Sequence, residues 1–446
     1  MDSRLQYKQK LATADQAVKA IKPGDWVDYS MALGQPVVLD KALAERKGEL
    51  SDIKVRGSFR FSPLEIINAD PNRDVFTYNS WHFSSYERKL GDDGMCSYIP
   101  MIYRNMPLYY RKSLEVDVAM FTVAPMDSGG YFNFSLTNSA SRAIADKAKV
   151  IILEINDNLP RTMGGCENRI HIDEVDYIVE SGKLELPTIP LAQATDLEKK
   201  IAQYIIKEIV SGSTIQLGVG ALPNAVGAMI AESDLKDLGI HTEMLVDAVM
   251  TMSKAGKISN RLKNIDKGKS VWTFCVGSKE LYEWAHDNSE LASYPVDYTN
   301  NPSVMAANDN LVTINNCIAI DIMGQVTSES SGSRQISGTG GQLDFLTGGY
   351  MSKNGKSFIC LLSTFTDPKT GRLKSRILPN FPLNTAITNP RTQAHYFVTE
   401  WGMVDLAGRS MWERAEKIIS IAHPDFREDL IKGAEKLGIW RRSNKA

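Results

Sequence analysis

Apolar positions recur along this chain in two periods. "DVAMFTVAP" and "KVIILEI" are short, β-rich apolar runs that read as strands buried on both faces. "LEKKIAQYIIKEIV" spaces its apolar residues for a helix, and Thr195 and Glu198 stand at the spacing of a capping box that opens it. Strands alternating with helices in this way predict an α/β protein with largely parallel sheets. "ELPTIPLAQATDLEKK" sets two prolines in an extended run and reads as a linker. The boundary is placed near Pro187 to Ala194, giving domains over 1–188 and 189–446.

The two halves share a pattern. "AVKAIKPGDWVDYSMALGQPVVLDKAL" and "YIIKEIVSGSTIQLGVGALPNAVGAMI" each run helix, Gly turn, short strand, Gly-containing loop, Pro, helix. Pro36 is followed 17 residues on by Ile53, and Pro223 by Ile240 at the same interval. Two copies of one α/β domain are expected. In that register Glu243 falls opposite Arg56, on the second strand of the second copy. It lies near the Gly-rich loop after the first strand, where open α/β sheets bind ligands.

Composition narrows the classes. The chain has 446 residues, 43% hydrophobic, with net charge −2. This length predicts two or three domains, and the charge gives no general case for nucleic acid or anionic lipid. "MDSRLQYKQKLATADQ" has no apolar stretch of a secretory signal, and no apolar run approaches the length of a membrane span. Five scattered cysteines without C-x-x-C predict reduced thiols in a cytoplasmic protein, mostly core filler. Six scattered histidines without H-E-x-x-H give no metal site.

Three segments carry candidate chemistry. "LGVGALPNAV" has Gly218 and Gly220 after a strand and Pro223 at the expected first helical position, which suits close backbone approach to an anion or a plain strand–helix turn. Pro223 replaces the third glycine of a dinucleotide fingerprint, while Glu243 falls near where a ribose-binding acid would stand; a nicotinamide enzyme is therefore one reading. "SGSRQISGTGGQLDFLTGG" holds six glycines, an entropic burden unless backbone must approach something. In "DLGIHTEMLVDAVMTM", Asp247 reads as the cap of the next helix. Glu243 has three readings: an outward strand residue, a buried ion-pair partner, or a chemical group. The absence of G-x-S-x-G argues against a serine hydrolase. The aromatic stretches "SWHFSSYERK" and "IPMIYRNMPLYYRK" read as core and interface more than as pocket lining.

Over its whole length the chain resembles the acetyl-CoA hydrolase/transferase family, in the branch of butyryl-CoA:acetate and 4-hydroxybutyrate CoA-transferases. In the first half the resemblance rests on "VDVAMFTVAPMDSGGYFNF", "AKVIILEINDNLPRTMGG" and "IHIDEVDYIVE". In the second it rests on "LGVGALPNAV", "LGIHTEML", "VDYTNNPSVMAANDNLVTINNCIAIDIMGQVTSES", "QISGTGGQLDF" and "EWGMVDLAGRSMWERA". It implies two similar open α/β domains of the NagB/RpiA/CoA-transferase type with the active site between them. It further implies Glu243 as nucleophile, with coenzyme A contacted by Gly218, Val219, Gly220, Ala221 and Leu222, by Gly338, Gly340 and Gly341, and by the backbone of Ile318. The Gly220–Ala221 N–H groups would stabilise the oxyanion. Many members carry S-T-A-K before S-R-I. This chain has Ser363-Thr364-Phe365-Thr366, an inserted "DPKTGRLK", then Ser375-Arg376-Ile377. Thr366 stands where the lysine would and takes its place among the implied coenzyme A contacts, and Lys369 and Lys374 are candidates to supply the missing charge.

The implied activity is transfer of CoA from a short-chain acyl-CoA, best butyryl-CoA, to acetate through a glutamyl-CoA thioester. 4-Hydroxybutyrate or propionate transfer, acyl-CoA hydrolysis on the same fold, and a non-catalytic CoA-binding protein are the alternatives. Coenzyme A is then substrate, with no tightly bound cofactor and no metal. The expected partners are acyl-CoA and carboxylate substrates and a second copy of the chain, as a homodimer or larger, with neither nucleic acid nor membrane.

Overall fold

Val116–Val123 is a strand because its β-branched and aromatic residues are buried on both faces, with only Asp117 partly exposed. It pairs in parallel with Ala148–Asn156, from Val116 opposite Ala148 to Val123 opposite Ile155. The computed structural model describes residues 2–441. The outer ends of the expected domains, Met1 and residues 442–446, lie outside the described residues. The chain divides into two compact units. The first is Met1–Pro190 with Glu243–Leu245 and Lys269–Thr299, and the second is Leu191–Thr242, Val246–Gly268 and Asn300–Ala446. No helix or strand is assigned between Gly182 and Asp196.

The first unit is built on a seven-stranded parallel sheet. Its order is Cys96–Tyr98, Phe76–Ser80, Ile53–Gly57, Trp26–Asp28, Val116–Val123, Ala148–Asn156, Tyr177–Gly182. Strand order therefore reverses between Trp26–Asp28 and Val116–Val123. Val27, Val55, Val118 and Ile152 from the sheet pack with Leu39 and Leu43 of the helix Val38–Glu45. That helix has no side-chain cap of its own. Buried Glu154, on the sheet, accepts instead from the N–H groups of Val37 at 3.1 Å, Val38 at 3.0 Å and Leu39 at 2.9 Å. Burial pushes the Glu154 carboxyl up and these donors oppose the shift.

The second unit holds a six-stranded sheet in the order Gly239–Ile240, Thr214–Leu217, Leu311–Asn316, Lys356–Cys360, Tyr396–Thr399, Gly402–Asp405. All neighbours are parallel except the last pair. Here too the order reverses beside the first strand, between Thr214–Leu217 and Leu311–Asn316. The helix Asp196–Ile206 opens on the capping box read from the sequence: Glu198 N–H donates to Thr195 Oγ1, and Thr195 N–H to Glu198 Oε2. Among the described residues no helix is long and apolar enough to cross a membrane, and no group of three His, Cys, Asp or Glu could hold a metal. All five cysteines are free, and Cys96, Cys275 and Cys360 are buried.

Four local expectations need correction. Glu243 is not on the second strand of its sheet. That strand covers only Gly239–Ile240, and the next short strand, Met244–Leu245, pairs with Phe274–Cys275 in the first unit. Pro223 is the third residue of the helix Ala221–Glu232, whose N-cap is Gly220. It is tolerated because the first-turn N–H groups lack intrahelical acceptors anyway. Asp247 is the first residue of the helix Asp247–Lys254, and the cap is Val246. Its charge favours the helix N-terminus without capping it. Gly348 and Gly349 lie inside the helix Gln342–Met351, where a Cβ would fall 2.9 Å from Met305 Cβ and from Thr313 Oγ1 respectively. They are packing positions, not loop.

Ile240 ends its strand through side chains. Its N–H donates to Asn260 Oδ1 at 2.9 Å, and its carbonyl accepts from the buried Lys263 ammonium at 3.0 Å. Gly239 makes room: a Cβ there would stand 2.6 Å from Lys263 Cγ. Burial pulls Lys263 from the ordinary lysine value to about 8. The unfolded chain then binds more protons than the native one between about pH 8 and the unfolded value near 10.5, so this group adds stability as pH rises through that window. Denaturant midpoints at pH 7.5 and 9.5 should show that increment in the wild type and its loss in Lys263→Met. Gly239→Val should lower stability at both pH values by about 1–3 kcal/mol through overpacking.

Candidate functional site

The loop Gly218–Leu222 leaves the carboxyl end of Thr214–Leu217, at the strand-order reversal of the second unit, where open α/β sheets place ligands. Gly220 has φ +125° and ψ −178°, a region held essentially by glycine alone. No atom lies closer than 3.9 Å to a Cβ built there, the nearest being Asn316 Nδ2, so the requirement is one of backbone conformation. Gly218 and Gly220 are partly exposed, Val219 is exposed and Leu222 is buried. Ala221 and Leu222 begin a helix of 12 residues, so their N–H groups are first-turn donors.

The second Gly-rich segment runs into the helix Gln342–Met351, with Gly341 as N-cap. Gly340 has φ +57°, which a side chain would strain. Buried Glu329 holds the segment. Its carboxylate accepts from Thr339 Oγ1 at 3.1 Å and Thr388 Oγ1 at 2.9 Å, and its carbonyl accepts from the N–H groups of Ile336 and Ser337. Gln342 Nε2 donates to the carbonyl of Asn316 at 2.6 Å. Asn316 thus lies beside the Gly220 loop and is tied to the start of the helix after Gly341. Neither Asn316 nor Glu329 was found from the sequence, because each is an isolated polar residue whose partners are distant in the chain.

Ile318 follows the same strand end. Its N–H donates to Thr327 O at 2.9 Å, and its carbonyl accepts from Arg376 Nη1 at 3.0 Å. Thr366 is exposed at the end of a hairpin pairing Thr364 with Ser375 and Thr366 with Leu373. The inserted residues form the tip. Lys374 is ion-paired to Asp367 at 2.5 Å, and Lys369 is exposed on the tip. The second unit therefore brings Gly218–Leu222, Gly338–Gly341 and Ile318 to one end of its sheet, and Thr366 stands apart from them on the exposed hairpin.

Glu243 is half-buried. Just before it, Thr242 Oγ1 donates to Leu217 O at 3.1 Å, tying the residue ahead of Glu243 to the residue ahead of Gly218. The Glu243 carbonyl accepts from Thr273 N–H at 3.0 Å and Phe274 N–H at 3.3 Å. Burial, and then the charge of Glu243, push the Tyr103 hydroxyl well above the ordinary tyrosine range, so Tyr103 stays neutral. Tyr103 Oη lies 2.6 Å from Ser139 Oγ and 2.8 Å from Met31 Sδ. Its ring is 6.2 Å from that of Phe274, which is 6.2 Å from that of Phe59. Phe59 has φ +56°, a strained conformation for a bulky residue. Met31 follows the Trp26–Asp28 strand, at the reversal of the first sheet. An aromatic stretch read as core and interface thus supplies Tyr103 to the surroundings of the carboxylate.

The chain matches the acetyl-CoA hydrolase/transferase N-terminal domain over residues 1–190 and the C-terminal domain over residues 277–434. It is 50% identical to the butyryl-CoA:acetate CoA-transferase of Anaerostipes caccae, covering the whole of both chains. It is 49% identical to a probable butyrate:acetyl-CoA coenzyme A-transferase of Syntrophomonas wolfei, over 99% of this chain and 98% of the relative. The crystal structure of RipA from Yersinia pestis superposes with a TM-score of 0.89 at 36% identity, over 98% of this chain and 100% of that one. With matched domains over most of its length and relatives aligned end to end, the chain belongs to the acetyl-CoA hydrolase/transferase family.

Proposed function

We propose that this chain transfers CoA from butyryl-CoA to acetate, with Glu243 as the nucleophile. The observation that carries the mechanism is the removal of Glu243 from its sheet to a half-buried position beside neutral Tyr103. The end-to-end likeness to butyryl-CoA:acetate CoA-transferases carries the choice of substrates.

A carboxylate is a weak nucleophile, but a thioester carbonyl is a reactive electrophile. A Glu243 oxygen attacks the butyryl carbonyl, the C–S bond breaks, and CoA leaves as thiolate from a mixed anhydride. The thiolate then attacks the Glu243 carbonyl, releasing butyrate and leaving a glutamyl-CoA thioester. Acetate attacks that thioester, and the same two steps in reverse give acetyl-CoA and free Glu243. No proton is consumed overall and the thioester energy is conserved, so ATP is not required. Contacts of Gly218–Leu222, Gly338–Gly341 and Ile318 with CoA supply binding energy used to orient the reacting end. Coenzyme A is a substrate in this reading. A cytoplasmic homodimer or larger homo-oligomer is part of the same proposal, and the resemblance to the family is what supports it.

Butyryl-CoA without acetate should leave CoA on the protein. Borohydride should reduce the thioester to an alcohol that peptide mass spectrometry places at Glu243. Glu243→Gln should bind CoA, form no adduct and lose nearly all transfer; an adduct on another residue rejects the assignment. Initial rates with butyryl-CoA against acetate should give parallel double-reciprocal lines, since butyrate leaves before acetate enters. Intersecting lines would show a ternary complex instead. Gly220→Val should keep the fold, with a backbone penalty of about 1–3 kcal/mol, and lose most activity. Near-normal turnover by the folded variant would remove the loop from the mechanism.

A further inference from the structure

The missing family lysine leaves a question of charge. Butyryl-CoA brings phosphates to the protein, and the hairpin that replaces the lysine motif carries Lys369 and Lys374. Lys374 is already neutralised by Asp367. Lys369 is exposed on the tip. Arg376 differs from both. Its backbone is fixed on both sides, its N–H donating to Ser363 O at 2.8 Å and its carbonyl accepting from Ile320 N–H at 3.0 Å. Its guanidinium donates through Nη1 to the carbonyl of Ile318 at 3.0 Å and lies 4.9 Å over the ring of Phe365.

The guanidinium is held but not neutralised. Burial pulls its pKa below the ordinary arginine range, and the one neighbour that opposes this is the thiol of Cys317, not a carboxylate. Nε is buried without an acceptor. A guanidinium offers five N–H donors in a fixed fork that suits phosphate oxygens. Withdrawing such a cation from water is unfavourable unless an anion completes it. Both backbone groups of Ile318 already have partners within the protein. Of the three cations, Arg376 is the one hydrogen-bonded to Ile318.

We propose that Arg376 takes the place of the family lysine and binds a phosphate oxygen of the CoA thioester. This rests on the proposed transferase reading for its substrate, and on geometry within the second unit for the residue. The phosphate-free thioester butyryl-pantetheine separates a phosphate contact from a contact with the pantetheine chain.

The test compares wild type, Arg376→Met, Arg376→Lys, Lys374→Met and Lys369→Met, with thermal unfolding to confirm that each is folded. With butyryl-CoA and acetate, Arg376→Met should raise KM for butyryl-CoA about ten- to a hundred-fold, with kcat within about threefold, the loss expected for one charge-assisted hydrogen bond. Arg376→Lys should recover part of the loss, and the two lysine variants should match wild type. With butyryl-pantetheine, wild type and Arg376→Met should have equal KM. An equal loss on both thioesters, or a KM effect that follows Lys374→Met or Lys369→Met instead, overturns the proposal. Calorimetric titration with free CoA and with pantetheine reads the same difference without turnover. If wild type fails to transfer to acetate but Arg376→Met still weakens CoA selectively, the transferase reading falls and the Arg376 contact stands.

Discussion

An edge strand must stop pairing somewhere, and the site depends on how that is done at Ile240. Its outward N–H and carbonyl meet Asn260 Oδ1 and Lys263 Nζ rather than another strand. On the inward side, Gly239 N–H donates to Ser213 O and His241 N–H to Ile215 O, so the strand is still tied to its parallel neighbour. With every ladder position answered within two residues, the chain is released. By Glu243 its backbone bonds lie with Thr273 and Phe274. A longer strand would have carried Glu243 along the sheet, facing a side fixed by the pleat. A buried lysine with a lowered pKa is a costly way to close an edge. It is also specific: its stem fills the space that Gly239 leaves open, and no apolar side chain donates to a carbonyl.

What was legible in the sequence follows from the range of the forces involved. The Thr195–Glu198 capping box and the Val116–Val123 and Ala148–Asn156 strands are decided by residues a few positions apart, and they stand as read. The misplacement of Glu243 has a different origin. "GIHTEML" reads as one β-like run, but its break is imposed by Asn260 and Lys263, some twenty residues downstream. Periodicity carries no trace of such partners. The same holds for Gly348 and Gly349, whose reason is the proximity of Met305 and Thr313. Glu329, Asn316 and Tyr103 escaped because an isolated polar residue acquires meaning only from what faces it.

The two sheets reverse their strand order beside the first strand, and each must turn its backbone sharply at that strand's carboxyl end. The second unit does so with Gly218 and Gly220. The first uses Ser30 at φ +58° and Ala32 at φ +46° instead. Non-glycine residues there must be held, and they are. Ser30 N–H donates to Asp28 Oδ1 at 2.9 Å, and Ala32 N–H to Ser58 O at 2.9 Å. The first turn is therefore fixed by hydrogen bonds and presents side chains, Met31 among them. The second is fixed by glycine and presents backbone.

Buried carboxylates are common in this protein, and most have structural roles. Glu154 is fully buried and accepts from three successive N–H groups. Glu87 is fully buried and accepts from Tyr78, Ser80, Ser84 and the N–H of Arg60. Asp28 is buried against Arg56 and Tyr110. In each, the lone pairs are taken up by protein donors and water is shut out, which suits an anchor and disables a nucleophile. A nucleophile needs partial access and a main chain that cannot drift. Glu243 is half-buried. Its carbonyl is fixed by two N–H groups, and the preceding residue is tied to Leu217. Glu243 differs from these anchors in its burial: it is half-buried where Glu154, Glu87 and Asp28 are shut away from solvent.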